Sequence, residues 1–123
     1  MPKAKSELSS RAVEQLMAAK SAVLSKAQAL ATMGLVETAQ PLWASAASYE
    51  ERIASLLDAL GHDREAAVHR ISAASCYEKA GDPSRATNLY RAALAGPLRP
   101  STRKDVEAML AECLARLTVS SAR

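Results

Sequence analysis

Phenylalanine is absent from this chain, and the aromatic set is one Trp and three Tyr in 123 residues. A core built on bulky rings is therefore excluded, and burial has to come from close approach of small side chains. Val and Ile together number eight, too few for a sizeable sheet. Cysteine occurs twice, at Cys76 and Cys113, so no disulfide framework is implied. Both thiols fall within helical apolar patterns, where a free Cys packs as a small hydrophobe. Glycine occurs four times and never in a phosphate-cradling cluster. No apolar run approaches a membrane span. The polar start, Met1–Ser10, has two lysines but no apolar stretch after them, so no signal peptide is expected and the chain is expected to be cytoplasmic.

Charge of one sign is also lacking. Sixteen basic residues are interleaved with thirteen acidic ones, for a net charge of +3. The only local basic excess is Arg99, Arg103 and Lys104, with no stacking aromatics among them, so no nucleic-acid partner is expected.

What is present is alanine, 27 residues of it. Alanine is the best helix former and lets helices approach closely. The length gives one domain, and the class is all-α. We expect residues 1–9 and 118–123 to be disordered and residues 10–117 to form the helical domain. Val13, Leu16, Met17, Val23, Leu24, Ala27, Leu30 and Ala31 mark one face of a long helix over Arg11–Met33. Ser9 or Ser10 is its expected cap, and Gly34 its stop. Ala39, Leu42, Trp43, Ala46, Ile53, Leu56, Leu57 and Leu60 mark a second helix from about Glu37 to Leu60, with Pro41 in its first turn and Gly61 after it. A third helix, capped by Asp63 or His62, reaches Ala80. Asp82-Pro83 opens a fourth, the strongest start signal in the chain, and Ala95-Gly96-Pro97 closes it. Thr102 with Asp105 predicts a capping box for a fifth helix carrying Val106, Met109, Leu110, Cys113, Leu114 and Leu117. Short turns predict antiparallel neighbours.

The stretch Tyr77–Leu94 contains a pattern that recurs. Around Gly81 it reads Ala74 and Tyr77 before the glycine, then Ala86, Tyr90 and Ala93 after it. Around Gly34 it reads Ala27 and Leu30, then Ala39, Trp43 and Ala46. A small residue on one helix lets the partner's aromatic lie across it while the glycine makes the reversal. The pattern resembles tetratricopeptide repeats over residues 20 to 117. The two glycines lie 47 residues apart, against a usual period of about 34, and the first helices are longer than the family's.

The resemblance implies a right-handed stack of two helical hairpins with a C-terminal capping helix. It also implies a scaffold function: docking of another protein, as a peptide or helix, into a concave groove. That groove would be lined by the helices holding Ser21–Met33, Val68–Ala80 and Asp105–Leu117. The candidate groove residues are Leu24, Gln28, Val68, Ile71, Ser75, Glu78 and Lys79. The Lys, Asn and Arg clamp with which some family members grip a C-terminal carboxylate is absent, because the matching places hold Leu24 and Gln28. Two hairpins make a short array, so a homodimer is also expected. The alternative is a structural helical-bundle subunit that acts by homo-oligomerisation without a groove ligand.

No enzymatic chemistry or cofactor is expected. His62, His69 and Cys76 are seven residues apart, which on a helix is about 10 Å per step and too far for one ion. No Gly-x-Ser-x-Gly elbow supports a serine nucleophile. Trp43, Tyr77 and Tyr90 read as packing pieces. Glu50, Glu51, Arg52, Arg64 and Glu65 read as surface charges, and His69 as a partly exposed surface residue.

Overall fold

The computed structural model describes the backbone of residues 2–122 and the side chains of 7–119. The described residues form five α-helices and no strand: α1 (Pro2–Thr32), α2 (Val36–Ala59), α3 (Asp63–Lys79), α4 (Pro83–Leu94) and α5 (Pro100–Ala122). The chain is all-α, as its alanine content and scarcity of β-branched residues require. Each helix packs chiefly on its neighbours in sequence: α1 on α2, α2 on α3, α3 on α4, and α4 on α5. No helix among the described residues is long and apolar enough to cross a membrane.

One corner is used three times. Gly34, Gly61 and Gly81 have φ of 83°, 80° and 82°, a left-handed conformation that is strained for any residue with a Cβ. At each, the glycine N–H donates to the carbonyl three residues back, on Ala31, Asp58 or Glu78. The next N–H, on Leu35, His62 or Asp82, donates five residues back, to Leu30, Leu57 or Tyr77, at 2.8–2.9 Å. This pair of bonds closes the carbonyl end of a helix. The residue after each glycine then serves as the N-cap of the following helix. Its carbonyl accepts the N–H of Ala39, Ala66 or Ala86, each five residues past the glycine and fully buried. Sequence periodicity identified this pattern at Gly34 and Gly81, and the structure adds Gly61.

The helix ends correct several expectations. α1 runs back through Ser9 and Ser10, so neither caps it. The stretches 1–9 and 118–123 enter α1 and α5 from Pro2 and as far as Ala122, while Met1 and Arg123 lie outside the described residues. Pro41 is the sixth residue of α2, beyond the first turn. It deprives the Glu37 carbonyl of its donor, which is tolerated because both residues are exposed and the carbonyl can be solvated. His62 caps α3 by backbone only, and Asp63 is the first helical residue. Asp82 caps α4 as expected, its Oδ1 accepting the Arg85 N–H at 3.1 Å. Arg99, not Thr102, precedes α5, and its carbonyl accepts the Arg103 N–H at 2.8 Å. Thr102 thus lies inside the first turn and forms no capping box.

The fourth turn is closed by a side chain. The Arg103 guanidinium donates to the carbonyls of Leu94 at 2.8 Å and Gly96 at 3.0 Å, at the end of α4. A cation suits that end of a helix, where the unpaired carbonyls carry partial negative charge.

Two apolar clusters fill the interior. Trp43, Tyr77, Tyr90, Val106 and Cys113 are packed among alanines of α1 to α4, and Ile53, Ala54, Leu57 and Ala66 form a second cluster with Val13 and Leu16. Tyr90 is wholly buried and Trp43 nearly so, against Ala27, Ala39, Ala46, Ala74 and Ala86, all without solvent exposure. The absent phenylalanines are thus replaced by close helix contact over methyl groups.

Candidate functional site

Glu50, expected at the surface, is only 3% exposed. It lies on the buried stripe of α2 between Ala46 and Ile53. Its Oε1 is 3.1 Å from His69 Nδ1 on α3 and 3.4 Å from Lys20 Nζ on α1, so one carboxylate ties three helices together. His69 is partly exposed, as expected. Burial pushes the Glu50 carboxyl up, but the hydrogen bond and charge of His69, with the charge of Lys20, outweigh it and hold the group below its ordinary value. Glu51 is half-buried as well and accepts the Tyr77 hydroxyl at 2.5 Å.

A second polar network joins α3, α4 and α5. Glu78 accepts the hydroxyl of Tyr90 and pairs with Arg116. Burial, then the neighbouring Glu78 carboxylate, raise the Tyr90 hydroxyl above its ordinary value. The same two causes push the Cys113 thiol up to about 11. Cys76 is raised by burial and by Glu50. Neither thiol is exposed or activated, which is the reverse of what a nucleophile needs.

The structure divides the seven candidate groove residues. Leu24 and Ile71 pack against the core. Ser75 is half-buried. Glu78 is committed to Tyr90 and Arg116. Gln28 of α1 and Lys79 of α3 come together in a cleft of about 430 Å³ that also includes Ala31, Val36 and Trp43. The Lys79 ammonium lies 4.5 Å from the centre of the Trp43 ring, a cation–π contact at the cleft wall. The adjoining α1–α2 turn leaves Met33 71%, Leu35 44% and Val36 57% exposed.

Val68 is 52% exposed and belongs to a different cleft of about 370 Å³. There Arg64, Glu65, Val68 and His69 of α3 meet Leu98, Arg99 and Thr102 from the last turn and the start of α5. Tyr49 lines a third cleft between α1 and α2, with Gln15, Leu16 and Ala19 of α1, and carries the Arg52 guanidinium 5.9 Å from its ring centre.

Among the described residues, no three His, Cys, Asp or Glu side chains are grouped to hold a metal ion. The oriented imidazole of His69 escaped sequence reasoning. Its one signal is the position of Glu50, an acidic residue at an inward place of the α2 stripe, which requires a buried partner. Comparison with protein-family models, curated proteins and solved structures finds no match for this chain.

Proposed function

We propose that this chain is a protein-interaction scaffold of tetratricopeptide-like build. In this reading its neighbouring helices run antiparallel as a right-handed stack of two hairpins, with α5 as the capping helix. A partner segment, extended or helical, docks where α1 and α3 approach beside the first turn. The observation that carries this reading is the Gln28–Lys79 cleft. Two residues chosen for their helical positions, from helices far apart in sequence, share one depression beside the exposed apolar side chains Met33, Leu35 and Val36. Exposed apolar groups with a few polar groups beside them are the usual make-up of a recognition surface.

The test is selection of peptides from a random display library on the purified protein. The reading expects a shared sequence among the selected peptides, and loss of their binding in the double variant Gln28→Glu, Lys79→Glu. Enrichment of no common sequence, or equal binding by the variant, would overturn it.

A second reading rests on the outer face of α1. Ala18, Ser21, Ala22, Ser25 and Ala29 are all exposed there, a strip of small side chains on which another helix could lie closely. On this reading the chain is a structural subunit that associates with itself. Sedimentation equilibrium distinguishes the two, since Ala22→Glu would disperse such a dimer and leave peptide selection at the cleft intact.

A further inference from the structure

We propose that the cleft between α3 and the α4–α5 turn binds a phosphate monoester, held by Arg64, Arg99 and His69, with its organic stem on Val68 and Leu98. This goes beyond the partner reading and does not depend on it, because the residues and the cleft are different.

Three features of the cleft support the assignment. The first is an excess of positive charge. Arg64 and Arg99 both line the cleft, both are exposed, and neither is in an ion pair among the described residues. One carboxylate, Glu65, also lines the cleft, 3.4 Å from the exposed His62 ring, so two guanidiniums face one acidic group and the lining keeps a net positive charge. Guanidinium groups grip phosphate oxygens in a two-pronged fashion that an ammonium cannot reproduce.

The second feature is the oriented imidazole. His69 Nδ1 is committed to Glu50, itself buried and tied to Lys20. Nε2 has no hydrogen-bond partner among the described residues and is not among their buried unsatisfied atoms, so it opens to solvent where the ring lines the cleft. A carboxylate behind one ring nitrogen fixes the imidazole and determines what the other nitrogen presents. In the doubly protonated ring, Nδ1 donates to Glu50 and Nε2 donates to the bound anion. Two guanidiniums and one imidazole then match the three terminal oxygens of a phosphate monoester, where a carboxylate offers only two. The Thr102 hydroxyl at the rim is a further donor.

The third feature is the apolar floor. Val68 is 52% exposed beside Leu98 in a cleft of about 370 Å³, which is room for a small organic group as well as the anion.

The probe is phenyl phosphate, titrated into isotopically labelled protein while the His69 ring resonances are followed, with inorganic phosphate and benzoate in parallel. The expected result is a saturable shift of His69 with phenyl phosphate at a dissociation constant of about 1 mM or tighter. Inorganic phosphate should bind more weakly for lack of the stem, and benzoate more weakly for lack of the third oxygen. Arg64→Gln and Arg99→Gln should each weaken phenyl phosphate about tenfold, while the exposed Lys26→Gln on α1 should leave it unchanged. Circular dichroism confirms that the exposed-arginine variants remain folded. Equal binding of benzoate would overturn the phosphate assignment. Absence of a saturable shift, or binding undiminished in both arginine variants, would overturn the site.

Discussion

His69 Nδ1 lies 3.1 Å from Glu50 Oε1, and this contact fastens α3 to the buried stripe of α2. Because Lys20 of α1 reaches the same oxygen, three helices depend on the Glu50 carboxylate. Replacing Glu50 by Gln keeps the shape and removes the charge, leaving Lys20 half-buried without a counter-ion. We expect a loss of about 2 kcal/mol in urea denaturation at neutral pH. A loss below about 0.5 kcal/mol would mean that the contact does not stabilise the fold.

The pH dependence follows from the same carboxylate. Its value in the folded chain lies below the ordinary 4.5, so the unfolded chain binds its proton first as the solution is acidified. The stabilisation is therefore fully present above 4.5 and is lost as pH falls through the lower folded value. Thermal melting of wild type and Glu50→Gln should differ most near neutral pH, and the two curves should approach each other in acid. A constant gap down to about pH 3 would refute the assignment.

Arg103 is a structural residue despite lying in the chain's only basic excess. Its two bonds to the Leu94 and Gly96 carbonyls close the end of α4. Arg103→Met retains the aliphatic stem and removes both donors, and should cost about 1.5 kcal/mol. Amide exchange should accelerate at the α4–α5 junction before it does so in α2.

The two thiols should be silent in the native state. Cys113 has no solvent exposure and a thiol pushed up to about 11, and Cys76 is buried with its thiol also raised. At about pH 8 a disulfide reagent should label neither until denaturant is added, after which both should react. Fast labelling of either in the folded protein would contradict the packing described.

The caps differ in kind, and substitution should separate them. Asp82 holds the Arg85 N–H through its side chain, so Asp82→Ala should cost about 1 kcal/mol. Leu35 caps α2 without a side-chain bond, and Leu35→Ala should change stability by less than about 0.5 kcal/mol. Equal losses at the two positions would show that the Asp82 bond adds nothing.

The helices and their corners were legible because Gly and Pro act through the backbone, and backbone constraints are local. Gly34, Gly61, Gly81 and Asp82-Pro83 each fixed a boundary to within a residue or two. The Gly61 corner was still not seen as a repeat of the others. Nine residues after it stands Arg70, where Trp43 and Tyr90 follow the other two, so the aromatic that marks the other corners is missing there. The start of α5 was misplaced for a related reason. Arg99 has no side-chain acceptor to announce a cap, whereas Thr102 does, and only the backbone geometry decides between them.

The polar interior was the least legible part. Glu50 and Glu78 look like ordinary surface acids until tertiary contacts bring Lys20, His69, Tyr90 and Arg116 to them. Of the groove candidates implied by the resemblance and helical position, Gln28 and Lys79 line one cleft, whereas Leu24 and Ile71 support the core. Periodicity gives the face of a helix. It does not give what another helix, dozens of residues away, will set against that face.

Since the bends at Gly34, Gly61 and Gly81 share one hydrogen-bonding scheme, the first four helices are assembled with a single kind of joint. A joint of that sort is indifferent to how long the rod on either side is, as the 24, 17 and 12 residues of α2, α3 and α4 already attest. Lengthening or splicing such a protein by whole rods requires no new corner, only a fresh row of alanines to seat the newcomer.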